Sequence, residues 1–191
     1  MTRASGPYLA GKLLAAMPGI EDPRFERAVV FICAHDADHA MGLTVNRPVE
    51  GLTVSHLLNR LGVKSATAQS ETLVLMGGPV EPERGFVLHT DDYARPESSV
   101  SVGPGVMLTA TREVLEAIAA PQGHPRKAVM ALGYAAWQGG QLEREIRENV
   151  WLTCEADENL VFGDDHPHKW SRALAKIGVA AENLSAQAGS A

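Results

Sequence analysis

Positive charge is not in excess in this sequence. Seventeen Lys and Arg stand against 23 Asp and Glu, a formal net charge of −6. The basic residues are scattered, and many have acidic neighbours, as in EREIRE at 143–148. A protein that grips phosphate backbones needs a basic stripe, so direct DNA binding is disfavoured. Cysteine is scarce too. Cys33 and Cys154 lie far apart in apolar stretches, which reads as two buried free thiols rather than a disulfide framework. No apolar run approaches the roughly 20 residues of a membrane-spanning helix. In MTRASGPYLAGKLLAAMPG, Lys12 interrupts the apolar stretch, and Leu13–Met17 is too short for a signal peptide core. The expectation is a cytoplasmic protein with no membrane role. There is no G-x-S-x-G elbow, and GGPVEPERG lacks the Gly-Lys-Ser/Thr ending of a phosphate loop. Neither cysteine looks activated.

What remains is an ordinary globular composition, with 45% hydrophobic and 21% charged residues. At roughly 100–200 residues per domain, 191 residues read as one domain. Four helices are expected. Thr53 caps one carrying Val54, Leu57, Leu58 and Leu61, with Gly62 as its stop. Thr111 caps a second, with Val114, Leu115 and Ile118, ending before Pro121. Gly139–Gly140 opens a third, with Leu142, Ile146 and Val150 on one stripe. The fourth carries Trp170, Ala173, Leu174 and Ile177, with Gly178 beyond it. Strands are expected at Ala28–Ala34, Gly42–Asn46, Thr72–Met76, Gly85–His89 and Ala128–Leu132. Shorter ones fall at Ser99–Val102, Val106–Thr109 and Trp151–Glu155. Strands that follow one another without a helix point to hairpins, hence an α+β fold.

Two stretches resemble metal sites. HDADH, at 35–39, sits at hairpin-loop length between two strands, where Asp and His suit a solvated turn. The competing reading is an open zinc site using His35 and His39. GDDHPHKW, at 163–170, holds His166 and His168, but Pro167 and the paired Asp164 and Asp165 suit a helix start. LGYAAWQGGQLEREI reads as a strand ending at Gly133, an aromatic loop, and a helix from about Gly140. There Tyr134 and Trp137 either wall a pocket or plug the core.

AMPGIEDPRFERAVVFICAHD, AMGLTVNRP, GGPVEPERGFVLH, LGYAAWQGGQLEREIRENVWL, KWSRALAKIGV and LSAQAGSA occur in that order. Together they resemble the YqgE/AlgH family of bacterial proteins, from about Leu9 onward. The resemblance implies a single α+β domain over 1–191, with loose ends at 1–8 and 186–191. Its sheet would be branched, mostly antiparallel and curled into a pseudo-barrel, with about four flanking helices. It also implies a regulator of gene expression acting indirectly through an unidentified protein partner, with no established reaction, catalytic residue, metal or cofactor. Its motifs fall here on Asn46, Arg47, Gly77, Gly78, Arg84, His89, Tyr134, Trp137, Gln141, Glu145 and Asn149. Two departures stand out: Ala136 replaces a usual glycine, and Ser190 a usual histidine.

Gln141, Glu145 and Asn149 are spaced by four and share a helix face. Glu145 is expected to pair with Arg47 or Arg84. The residues then form either a buried polar network or a pocket for a small anion or carboxylate around Asn46, Arg47, Arg84 and Tyr134. That pocket would serve a sensor or an enzyme.

Overall fold

The computed structural model describes residues 8–65 and 67–182, together with Leu184. The expected loose ends at 1–8 and 186–191 lie outside the described residues, Tyr8 excepted. Ten strands and five helices occur along this span. The strands are β1 (Lys12–Ala16), β2 (Val29–His35), β3 (His39–Thr44), β4 (Pro48–Thr53), β5 (Leu73–Met76), β6 (Val80–Thr90), β7 (Ser99–Gly103), β8 (Val106–Thr109), β9 (Ala128–Gln138) and β10 (Trp151–Glu155). The helices are α1 (Val54–Arg60), α2 (Arg112–Ala119), α3 (Gln141–Arg147), α4 (Glu158–Phe162) and α5 (His166–Lys176).

The sheet runs β10-β1-β2-β3-β9-β6-β8-β7, with neighbours antiparallel. It branches at β9. One edge of β9 pairs with β6 from Val80↔Tyr134 to His89↔Ala128. The other edge takes β5 in parallel at Ala131 and Leu132, then β3 from Ala135 to Gln138. Gly77 and Gly78 sit in the fork. Thr44 N–H donates to Gly77 O at 2.8 Å, and Gly77 N–H to Leu132 O at 2.8 Å. A Cβ on Gly78 would stand 2.1 Å from the carbonyl carbon of Tyr134, so only glycine fits. Across the fork Gly133 has φ +75°, a left-handed conformation that suits glycine. At the far end β7 curls back, until a Cβ on Gly11 would lie 3.1 Å from Gly103 Cα. The result is the curled, branched sheet with flanking helices.

Both faces of the sheet's central strands are buried, and period-two alternation divides β1 and β2 between two cores. Leu13 and Ala15 of β1, with Val29 and Phe31 of β2, face an inner core capped by Leu160, Trp170 and Leu174. Leu14, Ala16, Val30 and Ile32 face outward beneath Leu142 of α3, with Trp137 and Trp151. Further along, Val87 and Met130 are covered by Leu58 of α1 and by Val114, Leu115 and Ile118 of α2.

Some elements depart from expectation. β1 and β4 had no sequence signal as strands. KLLAA has good helix formers, but pairing on both edges, with β2 and β10, makes it a strand. The aromatic loop expected after Gly133 is the continuation of β9 to Gln138, because β3 supplies a partner edge. α4 was not foreseen. Asp157 caps it, accepting Leu160 N–H at 2.9 Å. Val150 lies beyond α3, and Ile177 caps α5 while remaining partly exposed.

Candidate functional site

α3 begins where β9 ends. Gly139–Gly140 turn the chain, with Gly140 at φ +77°. Gln141 locks the turn by accepting Gln138 N–H through Oε1 at 3.0 Å. Asn149 ends the helix at φ 59°, a left-handed conformation that asparagine tolerates. Val150 O then accepts Met17 N–H at 2.9 Å, tying the helix exit to the β1–β2 connector. Between that connector and α3 lies a cavity of about 820 Å³. Trp137, Gln141, Glu145 and Asn149, four residues singled out by motif, line it together. Trp151, Phe25, Arg24 and Arg144 join them.

Glu145 is the unusual member. Its Oε2 is sealed from solvent and stands beside the Trp137, Trp151 and Gln141 side-chain donors without closing a well-formed hydrogen bond to any of them. Burial raises its pKa above the usual carboxylate value, while Trp137, Trp151 and Gln141 work the other way by favouring the charged form. Trp151 is buried, and its Nε1 also closes no hydrogen bond. Five buried side-chain atoms among the described residues lack a partner, and two of them share this cavity. Around them, Trp137 and Trp151 meet edge to face at 5.9 Å between centroids, as do Phe25 and Trp151 at 5.6 Å. At the rim Arg24 is held by Asp22 through Nε–Oδ1 (3.0 Å) and Nη2–Oδ2 (2.7 Å) contacts.

The other motif residues lie elsewhere. Asn46 ties loops together: its Oδ1 accepts Val29 N–H at 2.9 Å and its Nδ2 donates to Arg27 O at 2.8 Å. Arg47 donates to Glu26 O at 2.6 Å and lines a separate groove of about 490 Å³ beside α5, with Arg27 and His166. Arg84 pairs with Glu81 at 3.5 Å and stacks over Phe86 at 5.1 Å. The Tyr134 hydroxyl donates to Glu81 Oε2 at 2.7 Å, which raises the tyrosine pKa. The expected pairing of Glu145 with Arg47 or Arg84 is therefore not found, because each arginine sits on another element with a partner of its own. Of the expected pocket, Asn46 and Arg47 line the groove beside α5 together, while Arg84 and Tyr134 meet at Glu81 apart from it. His89 is wholly buried. Its Nδ1 donates to Thr90 O at 2.9 Å, so its Nε2 accepts the Thr109 hydroxyl at 2.7 Å. Gly77 and Gly78 serve the sheet fork.

The histidine stretches resolve into local structure. Asp36 Oδ1 accepts Asp38 N–H (2.8 Å) and His39 N–H (3.0 Å), building the hairpin turn. His35 lies inside, with Nδ1 accepting Leu9 N–H at 3.0 Å and Nε2 donating to Glu143 at 2.7 Å. His168 and Arg172 both bind Asp165, at 2.8 and 2.9 Å, at the start of α5. Among the described residues no three His, Cys, Asp or Glu side chains are grouped to hold a metal ion. Both cysteines are buried. Desolvation pushes the Cys33 thiol up to about 12 and raises that of Cys154. No helix among the described residues is long and apolar enough to cross a membrane.

Sequence reasoning found α3's share of the cavity but not the opposite wall. Phe25 and Arg24 come from a Pro- and Gly-containing connector whose position only the fold reveals.

The comparisons agree with this architecture. A UPF0301 protein of Caulobacter vibrioides is 63% identical over 186 residues, covering 97% of this chain and 95% of that protein. The solution structure of the AlgH protein of Pseudomonas aeruginosa matches with a TM-score of 0.76 and 38% identity, over 100% of both chains. A Corynebacterium diphtheriae protein of 19% identity, covering 91% of this chain and 88% of that one, shares the fold at a TM-score of 0.70. With a profile described as AlgH-like matching residues 13–182 as well, the chain belongs to the AlgH-like, or UPF0301, family.

Proposed function

We propose that this protein is a cytoplasmic regulator of gene expression that acts indirectly, through a protein partner engaging the α3 cavity. One observation carries the reading: Trp137, Gln141, Glu145 and Asn149, four motif residues, line one cavity together with Arg24, Arg144 and Phe25. Aromatic and arginine side chains around a recess are what protein interfaces favour as anchoring points. The described lining holds no serine, threonine, cysteine, histidine or lysine, so the commonest nucleophiles do not face the cavity. The regulatory half of the proposal follows from the family resemblance, and the indirect mode from the acidic charge of −6.

The test is cross-linking in the protein's own cells, comparing wild type with Glu145→Gln. Wild type should recover one protein in constant proportion. The variant should lose it while melting like wild type. If wild type recovers no specific protein, or the variant recovers it equally well, the proposal falls.

Arg47 favours a second reading, a small-anion site. It is partly buried, no carboxylate lies within ion-pair distance of it among the described residues, and Arg27 and His166 line the same groove. Inorganic phosphate should then raise the melting temperature of wild type but not of Arg47→Ala. An equal response in both proteins would dismiss this site.

A further inference from the structure

We propose that the recess between α1 and α2 binds an aliphatic carboxylate, its chain over the apolar floor and its carboxylate against Arg60 and Arg112. This recess shares no lining residue with the α3 cavity and stands independently of it.

The recess holds about 390 Å³. Small-molecule sites are concave and mostly apolar, of roughly 300–1,000 Å³, with a few polar groups at fixed places. Val87 of β6 and Met130 and Leu132 of β9 make the floor, because alternation turns them to the face that α1 and α2 cover. Leu57 and Leu61, at the end of α1, and Leu115 of α2 make the walls. Gly85 adds no side chain to the floor, where a Cβ would stand 2.9 Å from Met130 Cε. The helices leave this surface open. Leu57 and Leu132 are partly exposed, and Leu61 is 38% exposed. Met76, the Cα partner of Leu132 on β5, is 54% exposed. Apolar surface therefore runs on from the recess to Met76 without an occupant among the described residues, and such patches mark binding sites.

The rim selects the charge of the ligand. Arg112 is held in place: its Nε donates to Glu116 Oε1 at 3.0 Å and its Nη2 to Leu61 O at 2.9 Å. A guanidinium has five N–H donors, so others remain for a ligand. Arg60 has no carboxylate at ion-pair distance among the described residues. Glu83 is the acidic side chain that faces these two arginines in the described lining. In a chain of net charge −6, this rim carries net positive charge. Arginine binds a carboxylate through charge-assisted, often paired, hydrogen bonds. A cationic amphiphile would meet repulsion at the same rim. Volume decides against a helical partner. One helical turn, roughly 10 Å across and 5.4 Å long, already occupies about 420 Å³. An extended aliphatic chain is thin enough to enter.

The test is NMR of the full-length protein with isotope-labelled methionine methyl groups. Met130 reports on the recess, and Met41, packed against the inner core, is the reference. Sodium octanoate, below its micelle concentration and at constant ionic strength, should shift the Met130 signal saturably and leave Met41 in place. Hexanoate and butanoate should bind more weakly, by about fourfold for each methylene removed. Octylammonium chloride and n-octanol should bind more weakly than octanoate by about tenfold or more. Arg60 is exposed, so Arg60→Gln should melt like wild type while its octanoate affinity falls about tenfold.

Equal binding of butanoate and octanoate, octylammonium binding as tightly as octanoate, or unchanged affinity in Arg60→Gln would each overturn the proposal. A Met130 signal that moves with protein concentration and not with octanoate assigns this face to a second copy of the chain, and overturns it as well. The ligand series in wild type needs no variant to fold.

Discussion

His89 and Glu145 are both polar groups largely withdrawn from water, yet one is finished and the other is not. Both His89 ring nitrogens are bonded, and Thr109 passes the chain on to Ser99 Oγ at 2.7 Å. His89 lies within the sheet, beneath Tyr93. Glu145 lies at a cavity wall with one oxygen unpaired. A closed network makes a sheet specific and rigid. An open one, beside a cavity, leaves room for the proposed partner. Motif resemblance placed both residues in one list of candidate sites, and only their surroundings separate them.

The comparison can be broken or sharpened by substitution. The largest effect is expected at the fork that supports both regions. Gly78→Ala puts a methyl into the Tyr134 backbone and should cost about 3 kcal/mol or more in urea melts. A near-neutral result would mean the fork can open. Next comes His89→Ala, which leaves a void and strands Thr109. It should cost about 3 kcal/mol by the same measurement. His89 also titrates. Burial lowers its pKa below 6.5, so the unfolded chain binds the proton more tightly. Stability should therefore fall as pH drops below 6.5, and this component should vanish in the variant.

Lys169 sharpens the contrast, being charged and closed. It is 1% exposed and donates to Val45 O at 2.8 Å, with no carboxylate at ion-pair distance among the described residues. Desolvation lowers its pKa from 10.5 to about 8. The unfolded chain thus holds more protons between those values, and stability should rise with pH across that window. The rise should amount to about 3 kcal/mol. Lys169→Met should abolish it, and an identical pH profile in the variant would contradict this account.

The smallest change in stability is expected for Glu145→Gln, within about 1 kcal/mol, because an unpaired buried carboxylate contributes little to the fold. The sign with pH is opposite to that of Lys169. The raised pKa means the folded state holds the proton more tightly, so stability falls as pH climbs from the unfolded carboxylate value through the raised one. Glutamine should flatten that slope. A loss as large as that of His89→Ala would place Glu145 among the structural residues and end the comparison.

Much of the local structure was legible from sequence. Thr53 caps α1 reciprocally with His56, as its position before an apolar stripe suggested. Trp151–Glu155 is β10 to the residue. The Asp-rich turn at 36–39 is built by Asp36 accepting neighbouring backbone N–H groups. What failed depended on partners distant in sequence. KLLAA becomes a strand only between β2 and β10, and YAAWQ only beside β3.

The candidate site divides in the same way. Spacing by four placed Gln141 and Glu145 on one helix face, because helical geometry is local; Asn149, expected on the same face, lies beyond α3 and reaches the cavity from the turn that ends it. Which arginine would meet Glu145 could not be read, since Arg47 and Arg84 lie on other elements whose docking depends on the sheet's branching and curl. The sequence by itself determined the α+β character, the Thr53 cap, the turns and the helix face that carries Glu145, all set by interactions within a few residues, whereas Thr111 opens α2 without a side-chain cap bond. Tertiary structure alone decided that this face meets Phe25 and the β1–β2 connector, and that one carboxylate oxygen is left there without a partner. Burial and electrostatic environment are properties of chain segments that meet in space, and no local pattern encodes them.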